Sequence, residues 1–506
     1  GTINVVLAST AASGPRDFRG PSTSAAGTNI TGGTLNLGTS GSGTAKTFYV
    51  QGVSPNLVLT NTSADHSATL AGGLQIRGDL TINSSTGVFS PSTLYNIDMR
   101  GNPTNTGNIT NNGTMTLNAG SSQSMTFSSS FGNQTFTNNN TITGNALPSL
   151  TINNTFSGGT VTIPSGLTVK SDGVGSSTLT LTKGALTATG LTLGGGGTTG
   201  FTYIAGDGTL TNAPAYDYGS GTVAYQYKGT SPQTTGTELP SSISGTLQIN
   251  NSTGVTLNAP RSAGSLSLLS GNLNTTSTNL LTVTLTSTGS VSRTAGYVNG
   301  PLARTLPASL VTGSTYLFPV GKGSYTPFEL VNPTTGAGGT VVIKSEVFDA
   351  NSGGTPGTGM GVLNTDRYWN STIVSGAADF TNTTVRLTEP SAIPSTKAIG
   401  QSATQTGAYN YTNSAIPSGS TITTGTLTGL DYFVIGEKAD NMAYTSSTTT
   451  QTNTNPVGQG TTNAQIIGVQ IVTTGNASPL NATSFTINAN GSTNVSDIQN
   501  AKIWYT

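Results

Sequence analysis

Apolar residues alternate with Thr, Ser and Asn along most of this chain, as in Leu179-Thr180-Leu181-Thr182 and Thr160-Val161-Thr162-Ile163. Period two places successive side chains on opposite faces of an extended backbone, so the pattern predicts strands with one apolar face. The branched Cβ of threonine suits a pleated surface, which makes the polar partner a strand former as well. No long stretch rich in Ala, Leu, Glu and Lys shows the 3.6-residue spacing of a helix. Asn-Asn, Asn-Gly and Gly-Gly pairs punctuate the strands and read as turns. The predicted fold class is all-β.

The strands recur in a fixed order. Gln134-Thr135-Phe136, Leu150-Thr151-Ile152-Asn153-Asn154, Gly159-Thr160-Val161-Thr162-Ile163 and Leu181-Thr182-Lys183-Gly184-Ala185-Leu186 form one unit. Gln233-Thr234-Thr235, Leu247-Gln248-Ile249-Asn250-Asn251, Gly254-Val255-Thr256-Leu257 and Leu268-Leu269-Ser270-Gly271-Asn272-Leu273 repeat it. Weaker echoes precede them at Leu57-Val58-Leu59-Thr60-Asn61 and Leu80-Thr81-Ile82-Asn83. Strands this short cannot bury a core alone, whereas stacked coils can. The expected architecture is a parallel β-solenoid (β-helix) over residues 25–295, with coils of roughly 20–25 residues. A series of β-sandwiches with similar strand patterns is the alternative. Residues 1–24 read as an N-terminal strand and lead-in.

The pattern changes near residue 296. Pro301, Pro307, Pro319 and Pro327 interrupt it, and aromatics gather in Tyr316-Leu317-Phe318 and Tyr325-Thr326-Pro327-Phe328. Longer strand candidates follow, such as Thr340-Val341-Val342-Ile343-Lys344 and Tyr432-Phe433-Val434-Ile435. Residues 296–439 are therefore expected to form a β-sandwich. Residues 440–462 read as a Thr/Ser/Asn-rich linker. Residues 463–506 hold three strand candidates and one Trp, too small a core for an independent domain. They are expected to be a partial β-sandwich module or donor strands, or the start of a module that a longer chain completes.

Composition sharpens this picture. Charged residues make up 7% of the 506 positions, where a soluble domain carries roughly 25%. The formal net charge is 0 and the hydrophobic fraction 33%; disorder at low hydrophobicity usually accompanies high net charge, so a folded chain is expected. Charge is also the main device that keeps sheet edges from pairing with other chains. The absence of Cys excludes disulfides and thiolate metal sites. No run of about 18 apolar residues occurs, so no membrane span is expected. With 18 Lys plus Arg against 18 Asp plus Glu, nucleic acid is not an expected partner. The opening residues, Gly1-Thr2-Ile3-Asn4-Val5-Val6-Leu7, are too short and polar for a signal peptide, which fits a chain that starts after cleavage.

Candidates for chemistry are sparse. His66 is the single histidine and sits in Ser63-Ala64-Asp65-His66-Ser67, which reads as a solvated polar turn. An extended backbone would point Asp65 and His66 to opposite faces, so they form no dyad locally. Glu329, Glu346, Asp349, Asp366, Asp379 and Glu389, with Arg367 and Arg386, are the densest charged set. Paired carboxylates could serve a glycosidase, but surface ion pairing is the expected role. No calcium-binding motif is present. Gly194-Gly195-Gly196-Gly197 lacks the Lys and the helix of a phosphate loop and reads as a turn. Tyr216, Tyr218, Tyr225 and Tyr227 could stack on sugars if exposed; packing against a neighbouring coil is the favoured reading. No catalytic, cofactor-binding or metal-binding residue is assigned, and no cofactor is expected.

The order Gln…Leu-x-Ile-Asn-Asn…Gly-Val-Thr-Leu…Leu-x-x-Gly-x-Leu, followed by Gly296-Tyr297-Val298-Asn299-Gly300-Pro301-Leu302 and Phe318-Pro319-Val320-Gly321, resembles large secreted, adhesin-like surface proteins of Bacteroidota exported by the type IX system. The likeness covers most of residues 50–437 and describes an architecture more than a site. Residues 463–506 are similar to the first half of a β-sandwich module associated with sialidase-like proteins of the same bacteria. The resemblance implies export to the cell surface and repeated β modules, and it carries over no catalytic residue.

The resulting expectation is an extracellular, non-enzymatic adhesive or structural protein that self-associates head to tail. Ile3, Val5 and Leu7 are the expected subunit-joining residues, on a terminal strand that adds to a sheet of the next chain. Gly14, Pro15 and Gly20 follow, so that strand need not pack on the coil after it. The alternative is a carbohydrate-binding or carbohydrate-active β-helix, lyase- or glycosidase-like, with surface glycans as partners.

Overall fold

A computed structural model describes residues 1–8, 17–22, 30–38, 45–60, 66–83, 87–90, 96–111, 114–116, 124–138, 141–143, 147–163, 166–170, 176–194, 196–197, 200–475, 477–489, 494, 496, 498 and 500–504. The protein is nearly all β, with a parallel β-solenoid and further sheets. It divides into two compact units, Gly1–Phe348 with Ser371–Pro390 and Asp349–Asn370 with Ser391–Thr506.

The solenoid follows from the alternation. Thr34–Leu37, Asn56–Leu59, Leu80–Ile82 and Ile109–Asn111 stack in parallel, in the register Leu35↔Leu57↔Leu80↔Ile109. A second face stacks Ser124–Phe127, Ser149–Asn153, Ser177–Lys183, Phe201–Ala205 and Val223–Tyr227. The apolar member of each pair points inward: Leu150, Ile152, Leu179 and Leu181 are fully buried. Each such leucine or isoleucine contributes about 1.5–3 kcal/mol relative to exposure. The polar members form ranks outside, as in Ser149↔Thr178↔Thr202 and Thr151↔Thr180. Hydroxyls meet along these ranks, Thr187 to Thr211 at 3.0 Å and Thr246 to Ser265 at 2.8 Å.

The ladder runs past both expected limits. It takes in Thr2–Val5, which pairs in parallel with Thr34–Leu37. It ends with Val298–Asn299 on Leu273–Asn274 and Leu302–Leu306 on Leu281–Val283. Pro301 does not break the solenoid, because it falls at the corner between two rungs. Coil length varies more than expected: Thr2 pairs with Thr34 but Val255 with Leu273, so a turn shortens from 32 to 18 residues.

Tight corners need glycine where coils stack closely. Gly271 has φ +75, and a Cβ there would stand 1.7 Å from the Asn251 carbonyl oxygen. Gly296 repeats this one turn on, with φ +74 and 1.9 Å to the Gly271 oxygen. Gly271→Ala is therefore expected to cost about 2 kcal/mol or more, from left-handed strain plus the clash. A urea midpoint unchanged from the parent protein would refute this reading of the corner.

Beyond the solenoid the first unit adds antiparallel pairs. Leu302–Leu306 also pairs with Val341–Phe348, and Phe328–Thr335 lies between Thr315–Phe318 and Phe380–Thr388. In the second unit, Tyr432–Lys438 pairs with Lys397–Ser402 and Met360–Leu363 around the fully buried Trp369. The stretch expected to be a linker instead contains a strand, Ala443–Thr450, antiparallel to Gly468–Thr474.

Candidate functional site

The repeated Gln and Asn-Asn motifs mark a polar spine at one corner of the solenoid. Gln134 and Asn154 are completely buried. Gln134 Nε2 donates to the carbonyls of Met99 (2.9 Å) and Gly107 (3.1 Å), while its Oε1 accepts from Ser129 N (3.1 Å) and Asn154 Nδ2 (3.3 Å). Asn154 Nδ2 also donates to Gly132 O, and its Oδ1 accepts from Phe156 N. The second repeat reproduces the set. Gln233 Nε2 donates to Ala205 O and Gly206 O, its Oε1 accepts from Gly229 N and Asn251 Nδ2, and Asn251 Oδ1 accepts from Thr253 N. One amide side chain thus satisfies backbone groups that the corner takes out of the ladder, as buried polar groups require.

The tyrosines build a second cluster, and it lies inside. Tyr225 and Tyr227 share a face as strand spacing demands, but that face is the core, and both are buried. Tyr203 stacks one rung away, in register with Tyr225, with ring centroids 5.2 Å apart. The Tyr218 and Tyr225 hydroxyls meet at 2.9 Å. Tyr227 Oη donates to Glu238 Oε1 at 2.8 Å, and Tyr216 Oη to the carbonyls of Thr237 and Glu238 at 3.0 Å each. Burial pushes every one of these phenols up, Tyr216 to about 12, with the Glu238 charge adding to the rise of Tyr203, Tyr216 and Tyr227. The tyrosines therefore pack against neighbouring coils, and Tyr216 and Tyr218 are only half-exposed.

His66 corrects the expectation of a solvated histidine. It is 1% exposed, edge-on to the Phe48 ring at 5.7 Å. It leads into the rung Ser67–Ile76 and tucks against Gly38, where a Cβ would stand 2.5 Å from its Cδ2. Ser63, Ala64 and Asp65 lie outside the described residues. Gly194 closes a rung with φ +87, and Gly196 and Gly197 also take positive φ, as a turn requires; Gly195 is outside the described residues.

The densest charged set divides between the two units. Arg386 grips Glu329 with two bonds, Nε at 2.6 Å and Nη2 at 2.7 Å. Arg367 Nε donates to Asp349 at 2.8 Å. Asp379 holds a glycine turn by accepting from Gly338 N. Asp366 lies on a turn where its own N–H donates to Asn364. Burial raises the half-buried Glu346 carboxyl, against the pull of Lys322 and Lys344. Among the described residues no group of three His, Asp or Glu could hold a metal ion. No helix among them is long and apolar enough to cross a membrane.

Arg304 had no signal in the sequence. It is fully buried on the last rung of the solenoid. Nη1 donates to Leu317 O at 2.6 Å and Nη2 to Ser287 O, Thr288 O and Ser290 Oγ at 3.1–3.2 Å, with the Tyr316 ring 5.1 Å away. Burial brings the guanidinium down to about 10, so it remains charged at neutral pH.

The expected joining residues Ile3, Val5 and Leu7 do not sit on a detached strand. Ile3 and Val5 stand in register with Leu35 and Leu37. Ile3 is 54% exposed and Leu7 75%. The strand packs on the next coil because its apolar positions continue that column; Gly14 and Pro15 lie outside the described residues. The outer edge of Thr2–Val5 has no strand partner among the described residues.

No protein-family model, curated protein or solved structure matches this chain.

Proposed function

We propose that this chain is an extracellular, non-enzymatic structural or adhesive component of a bacterial surface, joined head to tail by β-strand addition. The observation that carries the reading is the ribbon of Ala443–Thr450 and Gly468–Thr474. It has two strands only, and every residue of the first is exposed. Val469, Ile471 and Val472 on the second are each more than 40% exposed. A two-stranded ribbon is marginal in water and gains from further strands. The outer edge of Thr2–Val5, flanked by exposed Ile3 and Leu7, offers backbone donors and acceptors to such a strand. Chain-wide, 7% charge leaves few residues to oppose edge pairing. A head-to-tail contact that does not close produces an open filament.

Sedimentation of the purified chain at rising concentration tests this. The parent protein should form growing assemblies, visible as filaments by electron microscopy. Deleting residues 1–8, or substituting Val469→Lys with Ile471→Lys, should leave monomers with an unchanged β signal. A parent chain that stays monomeric at high concentration would defeat the filament and leave a monomeric stalk; assembly by both variants would defeat the joining mechanism.

A further inference from the structure

Three successive corners of the solenoid line a shallow groove, open to solvent, of about 540 Å³. The first corner, Asn154 to Gly159, is the longest of the three and forms a lip above Lys183 to Ala185 and Asp207 to Thr209. Phe156 stands in that lip 42% exposed, although Asn154 beside it is fully buried and hydrogen-bonded to the Phe156 N–H. The ring is therefore anchored by its backbone while its side chain faces solvent. Lys183 and Asp207, both exposed, lie across the groove. Asp207 is held in place, with Oδ1 accepting from Thr230 N and Oδ2 from Thr230 Oγ1, both at 2.7 Å. Those bonds, the hydroxyl first, keep its carboxyl below the usual range. Gly158 is exposed, while Gly159 and Gly184 are tied into the stack: Gly159 N–H donates to Phe156 O, and the Gly159 and Gly184 carbonyls accept from Ala185 N and Thr209 N.

An exposed aromatic ring on an anchored corner, with one cation and one anion beside it, suits a ligand with an apolar face and several hydroxyls. The two charges cancel, so neither a phosphate nor an ammonium group is favoured. We propose that this groove binds one or two units of a neutral hexose glycan, with the C–H face of the sugar on Phe156 and its hydroxyls on Asp207 and Lys183. This deepens the adhesive reading above by naming what is bound, yet it does not need strand addition, because a single chain contains the whole groove.

Saturation-transfer NMR on the dilute, monomeric chain, with cellobiose, maltose and lactose in turn, tests it. At least one sugar should bind with Kd of about 1 mM, in the weak range expected of a shallow site. Phe156→Ala should weaken binding about tenfold, the worth of one ring contact, and Asp207→Ala by a similar factor. Phe131→Ala is the control: Phe131 is 43% exposed on another corner but outside the groove. Circular dichroism should show every variant folded. Absence of transfer from all three sugars, or equal binding by the Phe156 and Phe131 variants, overturns the proposal. Failure to form filaments leaves it untouched, so the two readings fail separately.

Discussion

The solenoid should unfold in one steep step as pH climbs above ~10, where exposed tyrosine ionises, and its buried tyrosines should ionise only in that step. Tyr203, Tyr225 and Tyr227 are buried together, Tyr203 and Tyr227 also near Glu238, and burial raises each phenol. Unfolded tyrosine ionises near pH ~10. A group whose folded value is raised contributes stability that is intact below the unfolded value and is lost as pH climbs above it. Each of the three then costs about 1.4 kcal/mol per pH unit, or roughly 4 together. That loss accumulates while unfolded phenols ionise and the buried ones do not, and it is set against the ~5–15 kcal/mol stability of an ordinary domain. The half-exposed Tyr216 and Tyr218 are left out because solvent screens them. Tyrosinate absorbance and far-ultraviolet circular dichroism, titrated together, should share the steep component. Tyr225→Phe should move the step to higher pH. Full ionisation near pH ~10 with the β signal intact would show that the cluster is open to water.

Alternation made the strands and their faces legible: Leu179 and Leu181 point in and Thr180 points out because a strand allows nothing else. The repeated Gln134 and Asn154, echoed by Gln233 and Asn251, were visible as a motif, but their task at the corner was not. That task depends on which coil lies beneath, and coil length changes from turn to turn. The same variability hid Tyr203 as the partner of Tyr225. Pro301 suggested a boundary because proline cannot donate to a ladder, yet a corner requires no such bond. His66 stood among polar neighbours, and local polarity does not report burial when the ring of Phe48 arrives from another coil. Ala443–Thr450 looked like a linker because a run of Thr and Ser lacks alternating apolar members; its pairing rests mainly on backbone bonds. Arg304 collects acceptors from Ser287, Thr288 and Leu317, which only the finished fold brings together.

Gln134→Leu should destabilise the solenoid by about 2–6 kcal/mol. The leucine fills the space but strands the Gly107 carbonyl and the Ser129 N–H, and takes one partner each from the Met99 carbonyl, which keeps Ser128 N–H, and from Asn154 Nδ2, which keeps Gly132 O. Each buried group left without a partner costs about 1–3 kcal/mol, whereas a typical intact bond contributes only about 1. The equivalent Gln233→Leu should cost less, because Gln233 is half-buried and water can reach some of the freed groups. Its bond to Ala205 O is also long, at 3.4 Å. Asn154→Leu should rank with Gln134→Leu, since it frees Gly132 O and Phe156 N and leaves Gln134 Oε1 with one donor fewer. The double variant should then cost less than the sum of the singles, because the bond between the two amides is lost only once. Urea midpoints followed by circular dichroism give all four values. Losses within about 1 kcal/mol for Gln134→Leu would mean that the corner carbonyls find water or new donors, and that the repeated glutamine serves something other than closing the coil.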